Sequence, residues 1–197
     1  MAAHETRDSF EPYPYRVVEV THHRRFTIEQ GELTIPGGTA PYTICRMRPF
    51  VCVLPVLDAK TPDARLMLVR QWRYAVSSFQ LEPPAGGIEE GEDPEDAALR
   101  ELREESGLLV DEIVSLGWTY PSAGSTDERA WLFCARCTKS VERELDLGEQ
   151  IECVTVSRKK MEKLLYSYGG GYAHAVSQVA WMRMMGQGIL DDWMPWK

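Results

Sequence analysis

Short runs in which apolar and polar residues alternate fill the N-terminal quarter of the chain, and turn residues bound each of them. Residues 17–20 (Val-Val-Glu-Val), 25–29, 32–35 and 42–46 read as strands, with Gly31 and Pro36-Gly37-Gly38 as turns between them. The pattern then changes. Residues 50–57 are almost continuously apolar, as a buried strand is, and residues 66–69 continue that character into Arg70-Gln71-Trp72-Arg73-Tyr74. Further strands are predicted over residues 113–120, 130–135 and 151–156. Ser157 is placed to cap a helix over 158–166, and Gly169-Gly170-Gly171 breaks the chain before a last helix over 173–185. The first fifteen residues are polar and carry prolines, which suits a loose lead-in.

One helix stands apart from this pattern. Within residues 86–108, GGIEEGEDPEDAALRELREESGL, good helix formers dominate the second half and Gly107 is placed to stop them. Asp93, Glu95 and Asp96 sit where a helix N-terminus favours negative charge, and Pro94 suits a first turn. Glu101, Glu104 and Glu105 then share one face, because side chains three and four positions apart are neighbours on a helix. Most acidic faces are simply solvated. Here Arg100 and Arg103 offset only part of the repulsion, and a hard divalent cation with oxygen ligands would offset the rest. Magnesium is the usual cation beside phosphate oxygens, with manganese as the alternative.

The spacing upstream is more specific than the charges. Gly86, Glu92, Arg100-Glu101-Leu102, Glu104-Glu105 and Gly107-Leu108 fill every position of the Nudix box. The chain therefore resembles the Nudix hydrolases, which cleave a nucleoside diphosphate linked to another group. Glu101 and Glu105, four residues apart, are the best ligand candidates for the metal, and Glu104 is the next, either as a ligand or as a partner that supports one; the resemblance implies the backbone carbonyl of Ala85 as a further ligand. Glu92 and Arg100 are expected to form an ion pair that holds the loop on the helix. Gly86 and Gly107 are assigned backbone roles that a Cβ would hinder. Glu105 is read as an exposed ligand, so that Glu105→Gln should remove turnover with little loss of fold.

The flanks are similar to the ADP-ribose and nucleoside diphosphate sugar pyrophosphatase branch. Arg70-Gln71-Trp72-Arg73 resembles its R-Q-aromatic-R run, where arginine suits a phosphate. Trp72 could stack on a base, although a strand tryptophan is more often core. Glu82-Pro83-Pro84-Ala85-Gly86 resembles E-x-P-A-G, which implies that Glu82 contacts substrate or supports the metal site. The loop containing Gly124 resembles S-P-G, with Glu128 in register downstream and Ala123 where a proline is commoner. The branch takes its catalytic base from a loop well after the box, which Glu149 matches best; Glu152 and Glu104 are the competitors. The resemblance implies hydrolysis of ADP-ribose to AMP and ribose 5-phosphate. GDP-mannose and UDP-glucose are close alternatives. A non-catalytic ligand sensor should show a broken box, and this box is whole.

With 44% hydrophobic and 26% charged residues, the chain has the composition of an ordinary soluble globular protein. The net charge of −8 argues against nucleic acid as a partner, since backbone phosphates call for a basic surface. An acidic protein still accepts an anionic substrate where metal ions neutralise the site. No apolar run is long enough for a membrane span, and no signal-peptide pattern opens the chain, so the cytoplasm is the expected location. Cys134 and Cys137 have C-x-x-C spacing, but residues three apart on a strand point to opposite faces, which disfavours zinc. The expected fold is α+β, an α/β/α sandwich of the Nudix type with a mixed sheet, over residues 49–197. Residues 1–48 are expected to form a small antiparallel β element, too small to bury its own core. By analogy with the ADP-ribose branch, it would help to form a homodimer.

Overall fold

In the computed structural model the described residues are 11–145, 150–166 and 175–195. The chain divides into two compact units, Met1–Met47 with Ser122–Asp127, and Arg48–Pro121 with Glu128–Lys197.

The first unit is an antiparallel meander of β1 (Tyr15–His22), β2 (Phe26–Ile35) and β3 (Gly38–Met47). The turn expected at Gly31 is absent, because β2 runs straight through it. Gly31 is buried beneath the Tyr15 ring, and a Cβ there would collide with that ring and with the Arg16 carbonyl. The missing side chain thus serves packing rather than a turn. The segment Ser122–Asp127 lies along β3. Cys45 N–H donates to Ser125 O at 2.9 Å, Met47 N–H to Asp127 Oδ1 at 2.9 Å, and Tyr42 OH to Gly124 O at 3.0 Å.

The second unit is built on a seven-stranded mixed sheet. Its strands are β4 (Phe50–Leu57), β5 (Arg65–Arg73), β6 (Ser78–Glu82), β7 (Ala85–Gly87), β8 (Leu108–Thr119), β9 (Ala130–Ser140) and β10 (Ile151–Ser157). The order is β10-β5-β4-β9-β8, with β6 on β5 and β7 on β4; β4 and β9 are parallel and the other pairings antiparallel. Strand β8 starts directly after the box helix rather than at Ile113, and β9 extends to Ser140.

Helices cover both faces, which explains why residues 50–57 are continuously apolar. Val51 and Val53 of β4 point to one face, with Phe133, Ala135 and Cys137 of β9, and pack against Ala97, Ala98 and Leu102 of α1 (Pro94–Ser106). Cys52, Leu54 and Val56 point to the other. They meet Met161 of α2 (Arg158–Leu165), Ala180, Trp181 and Met184 of α3 (Ala175–Gly186), and Leu190 and Trp193 of α4 (Ile189–Trp193). Cys134 belongs to this second face and Cys137 to the first, so the two thiols lie on opposite sides of the sheet. Burial raises both to about 12. Among the described residues no helix is long and apolar enough to cross a membrane.

Candidate functional site

The box helix α1 is fixed by local chemistry at both ends. Asp93 caps it by accepting the Glu95 N–H at 2.8 Å, and Pro94 opens it. Gly107, at φ 71°, closes it in the left-handed conformation, with its N–H on Arg103 O at 2.8 Å. With Ala97, Ala98 and Leu102 committed to the core, the neighbouring face turns Glu101 and Glu105 toward β7.

Ala85 N–H donates to Glu105 Oε2 at 3.0 Å, and the residue is only 4% exposed. Glu105 is therefore a buried carboxylate rather than an exposed one, which corrects the expectation above. Proximity of β7 to the helix, set by the Val51–Gly86 pairing, is what encloses it. Glu101 lies directly against Gly86: a Cβ there would run into its carboxyl carbon and both oxygens. Gly86 sits at ordinary φ, so its smallness matters here, not conformational freedom.

Arg100 links the remaining carboxylates. Its Nε donates to Glu92 Oε1 at 2.8 Å, and its Nη2 to Glu92 Oε2 at 2.9 Å and to Gly87 O at 3.0 Å. Its Nη1 reaches Glu101 Oε1 at 2.8 Å and Glu104 Oε2 at 3.1 Å. The Arg100 hydrogen bonds hold the Glu92 carboxyl below the usual carboxylate range against the opposing effect of burial, helped by the Glu89 N–H. Glu92 in turn raises Arg100 further. The loop-to-helix ion pair is thus present, and the same guanidinium also serves two of the three glutamates. Arg103 turns to Glu144 at 3.1 Å.

The R-Q-W-R run of β5 divides between the two faces of the sheet. Strand alternation sends Arg73 to the α1 face, where it grips Glu82, itself 4% exposed, by contacts of 2.5 to 3.1 Å. Arg70 and Trp72 point to the opposite face. Trp72 is 39% exposed rather than core, edge-on to Phe79 with centroids 5.1 Å apart. Arg70 stacks over Phe79 at 4.1 Å and pairs with Glu152 at 3.1 Å. Glu152 stands opposite Arg70 in register and so shares its face, away from the helix carboxylates. The next residue, Cys153, points the other way, with its thiol 3.7 Å from Glu105 O. Its contact with Glu105 could not be foreseen, because the register of β10 on β5 is a long-range property.

Glu128 is half-buried two residues before β9, and Gly124 lies on the exposed loop of the first unit. Glu149 and the Gly169-Gly170-Gly171 break lie outside the described residues.

The oxygen donors of Glu101, Glu104, Glu105 and the Ala85 backbone are the chemistry that a hard divalent cation prefers, and the bare Gly86 leaves the carboxylates room at the backbone. The residues fit such an ion. Among the described residues, no three His, Cys, Asp or Glu side chains already stand in a ready-made cluster. Arg100 stands between Glu101 and Glu104, and Glu105 accepts the Ala85 N–H. Beside these groups is a hollow of about 250 Å³ lined by Leu99, Arg100, Arg103, Glu104 and Glu144. A larger cleft of about 1240 Å³, lined among others by Arg65, Ser157 and Arg158, shares no residue with this site.

Comparison with known proteins agrees with the geometry. Residues 46–170 match the family described as NUDIX domain. An ADP-ribose pyrophosphatase of Bacillus subtilis is 33% identical over 151 residues, covering 74% of this chain and 80% of that protein. A mouse ADP-sugar pyrophosphatase is 53% identical over 57 residues, covering 29% of this chain and 26% of that protein. The crystal structure of an ADP compounds hydrolase superposes with a TM-score of 0.69 at 26% identity, over 90% of this chain and 95% of that one.

Proposed function

The chain belongs to the Nudix hydrolase family, and from that premise we propose that it hydrolyses the diphosphate of ADP-ribose to AMP and ribose 5-phosphate with Mg²⁺. The observation that carries the reading is the placement of Glu105 and Glu101 against the Ala85–Gly86 backbone, with Glu104 joined to Glu101 through Arg100, in a complete Nudix box. The relatives that act on ADP-ribose and ADP-sugars support the substrate class.

In this reading Glu101, Glu104, Glu105 and the Ala85 carbonyl hold the cation, which when bound neutralises the phosphate oxygens and positions a water. Mn²⁺ would serve as a substitute. Glu105 is held in place by the Ala85 N–H, and Gly86 leaves Glu101 its place at the backbone. The oxygen of water bonds to one phosphorus as the bridging P–O bond breaks, and the bridging oxygen leaves with the other phosphate. The proton of the water passes to a carboxylate. Glu149 is the proposed base on the motif, with Glu104 the alternative inside the site; Glu152 points to the other face of the sheet. Arg73, on the face of the carboxylates and braced by Glu82, is the proposed phosphate contact. Arg70, Trp72, Gly124 and Glu128 enter as substrate contacts on the motif alone.

A homodimer is part of the proposal. The valines Val17, Val18 and Val20 of β1 are exposed on the small first sheet, which supports a further surface covering them. Sedimentation velocity tests this, and a monomer at micromolar concentration would refute it. For the activity, ADP-ribose, GDP-mannose and UDP-glucose are each incubated with the protein and Mg²⁺ and the products separated. ADP-ribose is expected to be cleaved fastest, into AMP and ribose 5-phosphate. Faster cleavage of another member would move the substrate assignment to it. No cleavage of any, with Mg²⁺ or Mn²⁺, would replace the enzyme with a ligand sensor.

A further inference from the structure

We propose that Arg100 is a positioning residue with two distinct sides, one a permanent anchor and the other a counter-cation that hands its carboxylates over to the divalent ion. The inference rests on the cation reading above. A guanidinium has five N–H groups in a rigid plane, and here all five are committed. Nε and Nη2 spend three of them on the loop, two on Glu92 and one on Gly87 O, at 2.8 to 3.0 Å. Glu92 is itself fixed to the turn by the Glu89 N–H at 2.9 Å. Nη1 spends the remaining two on Glu101 and Glu104.

Because the group is planar and rigid, Nη1 cannot swing away while Nε and Nη2 stay on Glu92. The mobile partners are the two glutamates, which carry flexible stems and can turn from Nη1 toward an ion. Arg100 then remains beside the bound ion as a fixed positive charge. Two consequences follow. Without the cation, Nη1 offsets the repulsion between Glu101 and Glu104 and keeps the donors gathered. With the cation, the same charge opposes it and keeps the affinity low enough for release.

Arg100→Gln removes the charge while keeping a polar side chain. The Mg²⁺-free protein should melt lower than the parent, and added Mg²⁺ should recover part of that loss, so that the gain in Tm exceeds the gain of the parent. Binding of Mn²⁺, followed by electron paramagnetic resonance, should tighten on the order of tenfold, as expected for deleting one charge a few ångströms from a divalent ion in a water-like medium. Arg100→Lys restores the charge without the fork, so its Mn²⁺ affinity should return toward the parent while Tm stays low. It also keeps the test available if the glutamine variant fails to fold. Glu92→Gln removes the anchor but not the charge, and should lower Tm equally with and without Mg²⁺.

Equal Tm losses for Arg100→Gln with and without Mg²⁺, with Mn²⁺ bound no tighter than by the parent, would reduce Arg100 to a plain structural clamp. Failure of the parent itself to bind Mn²⁺ or to gain Tm with Mg²⁺ would instead sink the cation reading on which the inference stands.

Discussion

Gly86→Ala is expected to disable the protein while leaving it folded. The added methyl would overlap the carboxyl carbon and both oxygens of Glu101, and no backbone atom is among the nearest obstructions. Since the obstacle is the far end of a flexible side chain, Glu101 yields rather than the strand. The stability cost should therefore lie at the low end of overpacking, ~1 kcal/mol. The backbone adds no further penalty, because Gly86 lies outside the positive-φ region. Catalysis is less forgiving. Glu101 must move by roughly the radius of a methyl group, and a ligand displaced by about 1 Å commonly costs ~100-fold in rate. Glu101 would also leave Arg100 Nη1, loosening the group that gathers Glu104. The assay is kcat for hydrolysis at saturating Mg²⁺, with thermal unfolding alongside. Turnover within about threefold of the parent at unchanged Tm would refute the reasoning, because Glu101 could then not be held where the structure places it.

Three other perturbations follow from the same geometry. Glu105→Gln should abolish turnover, because an amide oxygen is a poor ligand for a hard ion, yet keep stability within about 1 kcal/mol since the amide oxygen still accepts the Ala85 N–H; urea denaturation and activity together check it. Leu102→Ala empties a fully buried position between α1 and the sheet and should cost ~2–5 kcal/mol in urea denaturation. The Glu92 carboxyl is held below its ordinary value in the folded state, so it contributes stability that is complete above the unfolded value, about 4.3, and lost as pH falls through the lower folded one. Urea midpoints between pH 6 and pH 3 should fall less steeply in Glu92→Gln than in the parent, and parallel curves would count against the ion pair.

The limits of α1 could be read directly from the sequence because capping is local: Asp93, Pro94 and Gly107 each act within a turn of their own position. The two-sided sheet was foreshadowed by the unbroken apolar run of β4, and the opposite facing of Cys134 and Cys137 by simple alternation. What was missed depended on distant neighbours. Gly31 reads as a turn until the Tyr15 ring is seen lying over it. The short helix α4 is started by Gly188 at φ 74° and held by burial of Leu190 and Trp193, for which five residues of sequence give little periodic signal. In the site, helical spacing predicts one face for Glu101, Glu104 and Glu105; the structure joins Glu101 and Glu104 through Arg100 and buries Glu105 against β7, a neighbour that spacing alone does not supply. The separation of Arg73 from Arg70 and Trp72 was implicit in strand alternation, whereas the Glu82 and Glu152 partners depended on the pairing of β6 and β10 with β5.

The most direct test is phosphorus NMR of ADP-ribose with the purified protein, followed first in the presence of EDTA and then after Mg²⁺ is added in excess. The diphosphate signals should persist under the chelator and then give way to those of AMP and ribose 5-phosphate once the cation is supplied. Equal conversion before and after the addition would contradict a reaction built on cation-binding glutamates.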